Sequence, residues 1–150
     1  MNKPILNLVE KISDEPPRIP EGEYRLKMVG YSTAIPFGNK APRLFLNFTV
    51  CDMGKCFGVP LKKFYNVATL TTKVGKNGGC KHKPRGDFLI DYFTLFPDQR
   101  LKRLDRIPMG PLLNSIIIGS VRDVTKNSQQ KELPDQLKYS VIAKLIGVDK

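Results

Sequence analysis

The chain has 150 residues, 41% of them hydrophobic, and a formal net charge of +11. This length and hydrophobic content suit one domain with its own core. Neither a run of about 18 apolar residues nor a signal-peptide pattern occurs, so we expect a cytoplasmic protein with no membrane partner. Three cysteines, an odd number, argue against the disulfide framework of a secreted domain.

Residues 1–20 are predicted to form an N-terminal extension, followed by one domain at 21–147. The prolines at positions 16, 17 and 20 cannot continue a helix and favour extended backbone. Four apolar residues before the prolines have helical spacing, so they also fit a short helix that docks on the body or on a second copy. These residues are Ile5, Leu8, Val9 and Ile12.

Two strands are predicted at 23–35 and 43–51, with a turn-rich loop at 36–42 between them. Alternation along the first strand places its side chains on two opposite faces. Tyr24, Leu26 and Met28 share one face, and Arg25, Lys27, Val29 and Tyr31 share the other. In the second strand an apolar set alternates with Arg43, Phe45 and Asn47. These three residue types on one face suit a platform on which bases stack. Packing of Phe45 under a loop or the N-terminal segment is the alternative.

The third predicted strand, at 57–67, opens a strongly basic segment. Residues 59–86 carry seven basic side chains and no acidic one: Lys62, Lys63, Lys73, Lys76, Lys81, Lys83 and Arg85. The same segment contains Phe64, Tyr65 and a glycine-rich stretch at 75–79. Positive charge interleaved with aromatic rings indicates a polyanion with flat bases, so single-stranded nucleic acid is the predicted ligand. A solvated lysine-rich loop is the alternative.

The remaining elements are a helix at 87–96 and strands at 115–124 and 137–145, joined by a polar connection at 125–134. The last strand is predicted to place one set of residues on one face: Leu137, Tyr139, Val141, Ala143 and Leu145. Three strands, a helical insertion and two further strands predict a mainly β protein. The matching architecture is the five-stranded Greek-key barrel of the oligonucleotide/oligosaccharide-binding (OB) fold, with the helix between strands 3 and 4.

Several strand-and-turn segments carry a family pattern: Pro20-Glu21-Gly22-Glu23-Tyr24, Arg43-Leu44-Phe45-Leu46-Asn47-Phe48, Phe57-Gly58-Val59-Pro60-Leu61, residues 124–134 and Tyr139-Ser140-Val141-Ile142. In these the chain resembles small OB-fold proteins of phages and mobile elements that coat single-stranded DNA during replication or recombination. The resemblance covers most of 20–147 and implies the same role here. Because the chain has no tryptophan, stacking falls to phenylalanine and tyrosine. It also lacks the acidic, glycine-rich tail with which bacterial single-strand binders recruit partners.

These features predict a non-enzymatic protein that binds single-stranded DNA with little sequence preference, through phosphate neutralisation and base stacking. The predicted binding residues are Lys27, Tyr31, Lys40, Arg43, Phe45, Asn47, Lys62, Lys63, Phe64, Tyr65, Lys73, Lys76, Lys81, Lys83 and Arg122. An RNA-binding module on the same fold is an alternative, because contacts to 2′-hydroxyl groups leave no signature in a sequence. A protein-interaction subunit that uses the N-terminal segment is another. Candidate partners therefore include RNA, a second copy, and replication or recombination proteins.

No cofactor is predicted, although two metal hypotheses remain open. Cys51, Cys56, Cys80 and His82 have the donor types of a closed tetrahedral zinc site, while three free cysteines and a loop histidine explain the same residues. Asp87 and Asp91 share one predicted helix face, where Mg²⁺ would serve a nuclease or recombination enzyme. A solvated helix face is the simpler interpretation of this pair.

Overall fold

The computed structural model describes residues 17–35, 41–127 and 129–149. The protein is mainly β, as predicted, and is organised around an antiparallel six-stranded sheet that does not close. Five strands follow the order β3-β2-β1-β7-β8, and the short strand β5 pairs with the end of β1. The strands of this sheet are β1 (Gly22–Ala34), β2 (Arg43–Val50), β3 (Pro60–Asn66), β5 (Gly75–Lys76), β7 (Ile116–Val124) and β8 (Tyr139–Asp149).

The smaller elements lie mostly between β3 and β7 in the chain. β4 (Thr69–Leu70) and β6 (Cys80–Lys81) form a two-stranded hairpin, which carries β5 between them. Two helices follow, α1 (Asp87–Leu95) and α2 (Gly110–Leu113), and a 3-10 turn at Asp135–Leu137 precedes β8. In the described part of the chain, no helix is long and apolar enough to cross a bilayer.

The core lies between the sheet and α1. β2 alternates strictly, so that Leu44, Leu46, Phe48 and Val50 are buried, as predicted. α1 packs against β8 and β3 with its apolar face, and its Tyr92 is completely buried. Each large apolar side chain removed from water in this way contributes roughly 1.5–3 kcal/mol. The core thereby fixes which side chains of β2 and β3 face outwards.

Irregularities in β1 and β8 change which residues share a face. The register of β1 shifts between Met28 and Gly30, so that Tyr31 pairs with Leu46 on the core side. The predicted placement of Tyr31 beside Lys27 is therefore wrong. β8 has register shifts at residues 143 and 146, which turn Leu145 into the core while Tyr139 faces outwards. The single face predicted for 137–145 is wrong for the same reason.

Residues 17–20 belong to the body rather than to an extension. Ile19 is 2% exposed and lies in the core. The backbone N–H of Ser140 donates to the carbonyl of Pro17 (2.9 Å), and the Ile19 N–H donates to Ser140 Oγ (2.8 Å). Arg18 forms a salt bridge with Asp123 (3.1 Å). The structured unit therefore begins at least four residues before the predicted boundary at 21, and residues 1–16 lie outside the described chain.

The two end strands of the sheet, β3 and β8, lie side by side without pairing along their described residues. The Ser140 N–H, which points out of the edge of β8, is taken by Pro17 instead. Because the strands approach without a shared ladder, their outward side chains border a groove.

Candidate nucleic-acid interface

The outer face of β2 and β3 carries alternating cationic, aromatic and amide side chains. Cross-strand partners share a face, and the register pairs Phe45 with Phe64 and Asn47 with Lys62. Arg43 begins the row and lies opposite Asn66, whose Oδ1 accepts a hydrogen bond from Arg43 Nε (3.3 Å). The predicted outward set of β2 is thus on one surface.

Two phenylalanine rings form the centre of this surface. The centroids of Phe45 and Phe64 are 6.1 Å apart, and the rings are tilted by 45°. The guanidinium carbon of Arg43 lies 4.3 Å from the Phe64 centroid, and Lys62 Nζ lies 6.0 Å from that of Phe45. Phe64 is 44% exposed although a ring of this size gains by burial. An exposed ring beside cations offers a stacking surface.

β8 supplies the opposite wall. Two adjacent cavities, of about 450 and 420 Å³, share Phe64, Tyr139 and Val141 in their linings, and we call them together the groove. The first is mainly apolar and also touches Phe45 and Leu61. Three aromatic rings from three strands therefore border one continuous depression.

The cations of the groove are not neutralised. Arg43 and Lys62 line the first cavity, and Arg122 and Lys126 line the second. None of these four forms an ion pair with a carboxylate in residues 17–35, 41–127 or 129–149. The one carboxylate in the lining, Asp123, is bound by Arg18 and Ser140. The groove thus presents net positive charge to a ligand.

The basic hairpin β4–β6 extends the charged surface. Lys76 pairs with Ser32, and Ser32 pairs with Phe45, so Lys76 continues the row that contains Phe45 and Phe64. At about 4.8 Å per strand, its backbone lies about 10 Å from that of Phe45. The other basic residues of this region are exposed on the hairpin or just after it: Lys73, Lys81, Lys83 and Arg85.

Two predicted binding residues of β3 face the core instead. Tyr65 is 2% exposed, and its hydroxyl donates to Asp91 Oδ2 (2.6 Å). Burial, followed by the neighbouring Asp91 carboxylate, raises the pKa of Tyr65. Lys63 lies on the same side, with Nζ 4.6 Å from the Tyr65 ring centroid. The sequence-based assignment of both residues to the interface is wrong, because β3 alternates and places them on the face opposite to Lys62 and Phe64.

Two predicted residues of β1 also lie away from the groove. Tyr31 lines a separate cavity of about 110 Å³ on the core side, together with Leu44 and His82. The ammonium group of Lys27 donates to the carbonyl of Leu113, which ties β1 to α2. Neither residue lines the groove, so their assignment to the interface is wrong. Lys40 lies outside the described residues.

The four potential zinc ligands do not come together. No group of three or more histidine, cysteine, aspartate or glutamate side chains suited to a metal occurs within the described ranges. Cys80 Sγ lies 3.6 Å from His82 Nε2, and the His82 ring stacks on Phe88 at 4.1 Å. Burial raises the pKa of Cys80 to about 11 and lowers that of His82 to about 4. This pair has the properties of core residues.

The carboxylates proposed for Mg²⁺ occupy different environments. Asp87 is exposed at the start of α1, whereas Asp91 is buried and accepts the hydrogen bond from Tyr65. Burial raises the pKa of Asp91, and the hydrogen bond from Tyr65 opposes this shift. A carboxylate committed to a buried tyrosine is unavailable to a metal at the surface, so the pair does not form the predicted site.

Sequence reasoning missed several contributors to the groove, among them Pro17, Lys126, Tyr139 and Val141. Tyr139 and Val141 alternate with the buried Ser140 and Ile142, a signal that the sequence contains. A single apolar set over 137–145 hides this signal, because the register shifts of β8 divide that set between two faces. Pro17 carried no such signal, since its place depends on a backbone hydrogen bond across the fold.

Neither protein-family models, nor curated proteins, nor solved structures match this chain. A functional assignment therefore depends on the chemistry of the groove itself. Its partly exposed rings, and its cations without a carboxylate partner in the described residues, are the two features that any ligand has to complement.

Proposed function

We propose that this protein binds single-stranded DNA in the groove, without catalysis and with little sequence preference. The observation that carries the proposal is the juxtaposition of Phe45, Phe64 and Tyr139 with cations that have no carboxylate partner among the described residues. Unpaired bases expose flat faces to rings, and their phosphates supply the missing negative charge. A duplex hides its base faces, so it would use only the cations.

The proposal also includes the barrel architecture of the sheet. We infer an OB-type barrel in which β3 and β8 are the partly open seam, because the strand order β3-β2-β1-β7-β8 brings them side by side. OB folds bind oligonucleotides over the face of their second and third strands and the loops beside it. In such a barrel, the groove and the basic hairpin would form the corresponding surface of this chain.

The expected energetics follow from the two kinds of contact. Stacking contributes roughly 1–3 kcal/mol per base in comparable sites, and phosphate contacts make affinity fall as salt rises. Contacts to ring faces and phosphates carry no base-edge information, so sequence preference is weak. With the resemblance in sequence, this suits a protein that coats single strands in replication or recombination of a phage or mobile element.

The proposal is tested by fluorescence anisotropy with labelled oligo-dT, a duplex of the same length and an RNA oligonucleotide. Tight, salt-sensitive binding of oligo-dT and weaker binding of the duplex are expected. A preference for the RNA oligonucleotide would indicate that the protein binds RNA, and not DNA, in the same groove. Equal affinity for the duplex would contradict the role of the rings, and a shortened oligonucleotide after incubation with Mg²⁺ would contradict the absence of catalysis.

A further inference from the structure

The separate cavity beside Tyr31 lies beneath the glycine turn of the basic hairpin, and we call it the hairpin pocket. Its volume is about 110 Å³, and the turn at residues 77–79 forms one of its sides. The turn is held to β1 by a hydrogen bond from the Asn77 N–H to the carbonyl of Tyr31 (2.9 Å). A Cβ atom at position 78 would collide with Thr33 Oγ1, so glycine permits this close approach. The hairpin pocket is therefore built into the fold.

His82 lines the hairpin pocket and leaves one hydrogen-bonding atom unused there. The residue is 4% exposed, and its Nδ1 has no hydrogen-bond partner in the described part of the chain. The ring is fixed, because it stacks on Phe88 at 4.1 Å and its Nε2 lies 3.6 Å from Cys80 Sγ. Burial lowers the pKa of His82 to about 4, so the imidazole is neutral at pH 7. An unpaired buried polar atom is unfavourable, and a ligand with a complementary atom removes this penalty.

The volume and the lining restrict what the hairpin pocket can hold. About 110 Å³ is the space of roughly four water molecules, and a dry cavity of roughly 150 Å³ takes up one benzene ring. A single six-membered ring therefore fits with one edge towards solvent, whereas a fused bicyclic ring is too large. Tyr31, Leu44 and Ile107 supply apolar surface against which such a ring packs.

The surroundings of the hairpin pocket favour a ligand that also carries negative charge. Arg106 lines the pocket, is exposed, and forms no ion pair within residues 17–35, 41–127 and 129–149. The neighbouring carboxylate of Asp105 is held by Arg103 at 2.6 Å, which lowers the pKa of Asp105. Lys76 and Lys81, on either side of the glycine turn, are exposed and add positive charge. A phosphate attached to the bound ring would therefore be attracted to this side of the molecule.

We propose that the hairpin pocket binds one pyrimidine base, with the edge of the base at His82 Nδ1 and the phosphate of the same nucleotide at Arg106. The edge of a pyrimidine carries both hydrogen-bond donors and acceptors, so it complements Nδ1 in either tautomer of the imidazole. The nucleotide is either free or part of a single strand that passes Lys76, where the row containing Phe45 and Phe64 ends. Only the second source rests on the proposed function.

Nitrogen-15 NMR of the imidazole tests the proposal directly, because His82 is the only histidine of the chain. Thymidine 5′-monophosphate should shift the Nδ1 resonance, whereas inorganic phosphate and deoxyadenosine 5′-monophosphate should not. A shift with oligo-dT would identify a base of the bound strand as an occupant, and a shift with the mononucleotide alone would identify the free nucleotide.

No shift with either thymine ligand would overturn the proposal, and an equal shift with deoxyadenosine 5′-monophosphate would overturn the assignment to a pyrimidine. If oligo-dT binds by anisotropy without moving this resonance, the groove remains the binding surface and the strand is not the occupant of the hairpin pocket. If oligo-dT does not bind at all, the proposed function fails while the mononucleotide still decides this proposal.

Two variants connect the resonance shift to the hairpin pocket. Ile107→Phe fills part of the space and should abolish the shift with thymidine 5′-monophosphate, and a full shift in the folded variant would overturn the proposal. Should Ile107→Phe fail to fold, Arg106→Ala keeps the test, since it should weaken binding of the mononucleotide by up to about fivefold, the effect of one exposed charge pair. The matched control Lys102→Ala removes an exposed cation that does not line the pocket. Equal losses for Arg106→Ala and Lys102→Ala would contradict the position of the phosphate.

Discussion

Phe64 is the residue on which the binding proposal depends most. Its ring is 44% exposed, stands next to Phe45 and lies under the guanidinium of Arg43. Truncation of an exposed ring removes a stacking surface and leaves the core intact, so its effect on binding separates from its effect on folding.

Phe64→Ala should therefore weaken oligo-dT binding by about 5- to 150-fold, the loss of roughly 1–3 kcal/mol of stacking. Its thermal midpoint should stay close to that of the parent protein. Phe93→Ala is the matched control, because Phe93 is 37% exposed on α1 and does not line the groove. Anisotropy titrations and thermal melts measure both effects. Equal binding losses for the two variants would argue against the groove.

Tyr65 is the neighbour of Phe64 and has the opposite role. Removal of its hydroxyl in Tyr65→Phe leaves the buried Asp91 carboxylate without this donor. We expect a loss of about 1–3 kcal/mol in the free energy of unfolding and no change in oligo-dT affinity. Urea titrations and anisotropy test the two expectations. Weaker DNA binding by the folded variant would contradict the second expectation and indicate that Tyr65 contributes to the interface.

His82 should make stability depend on pH. Burial lowers its pKa from 6.5 to about 4, so the unfolded chain takes up a proton more readily than the folded one. Protonation of His82 therefore leaves the free energy of unfolding unchanged above pH 6.5. It lowers this free energy by up to about 3 kcal/mol as the pH falls from 6.5 towards 4. Urea unfolding at pH 7 and pH 4.5 should show a smaller decline for His82→Gln than for the parent protein. The raised pKa of Asp91 acts in the opposite sense and is common to both proteins. Identical declines would be inconsistent with a buried neutral His82.

At the scale of elements, β3 separates two adjacent lysines onto opposite faces. Lys62 pairs with Asn47 on the outer face, and Lys63 pairs with Leu46 on the core face. We therefore expect Lys62, and not Lys63, to contact a phosphate in the groove. Lys62→Ala should therefore reduce the slope of log affinity against log salt by about 0.7, the value for one phosphate contact on a single strand. Lys63→Ala should leave the slope unchanged. Equal slope changes would show that the alternation of β3 does not decide which lysine binds.

Regular strands were predictable, and bulged ones were not. β2 alternates without interruption, so Arg43 and Phe45 could be assigned to the outer face from the sequence. In β1 and β8 the register shifts depend on which strands pair, and pairing is not encoded in the alternation of a single strand. Alternation alone consequently assigns Tyr31 to the wrong face of the sheet and does not identify Tyr139 as an outward-facing residue. Tyr65 was misassigned for a simpler reason, since its aromatic neighbour Phe64 faces the other way.

At the scale of the molecule, the sheet leaves two end strands that meet without pairing. Residues 17–19 occupy part of the edge of β8, which reduces the exposed hydrogen-bonding groups of that strand. The mainly β class, the five long strands and the basic segment could be read from local patterns, whereas the short strands β4, β5 and β6 were not predicted. The position of Pro17 could not, because it depends on contacts with residues more than 100 positions away.

Of the net charge of +11, a charge of +7 lies in residues 59–86, which contain seven basic residues and no acidic one. The basic hairpin and the groove share one row through Lys76, Ser32 and Phe45. A single strand that crosses the rings would therefore meet cations on both sides of them, which favours fast association at low salt. We expect the rings, in contrast, to select an unpaired strand over a duplex.

The most direct test is photo-crosslinking of the full chain to oligo-dT, followed by mass spectrometry of the modified peptides. Thymine bases stacked in the groove should crosslink to Phe45, Phe64 or Tyr139, and an excess of unlabelled oligo-dT should suppress the adducts. Adducts confined to peptides outside the groove, such as one containing Phe93, would contradict the proposed binding surface.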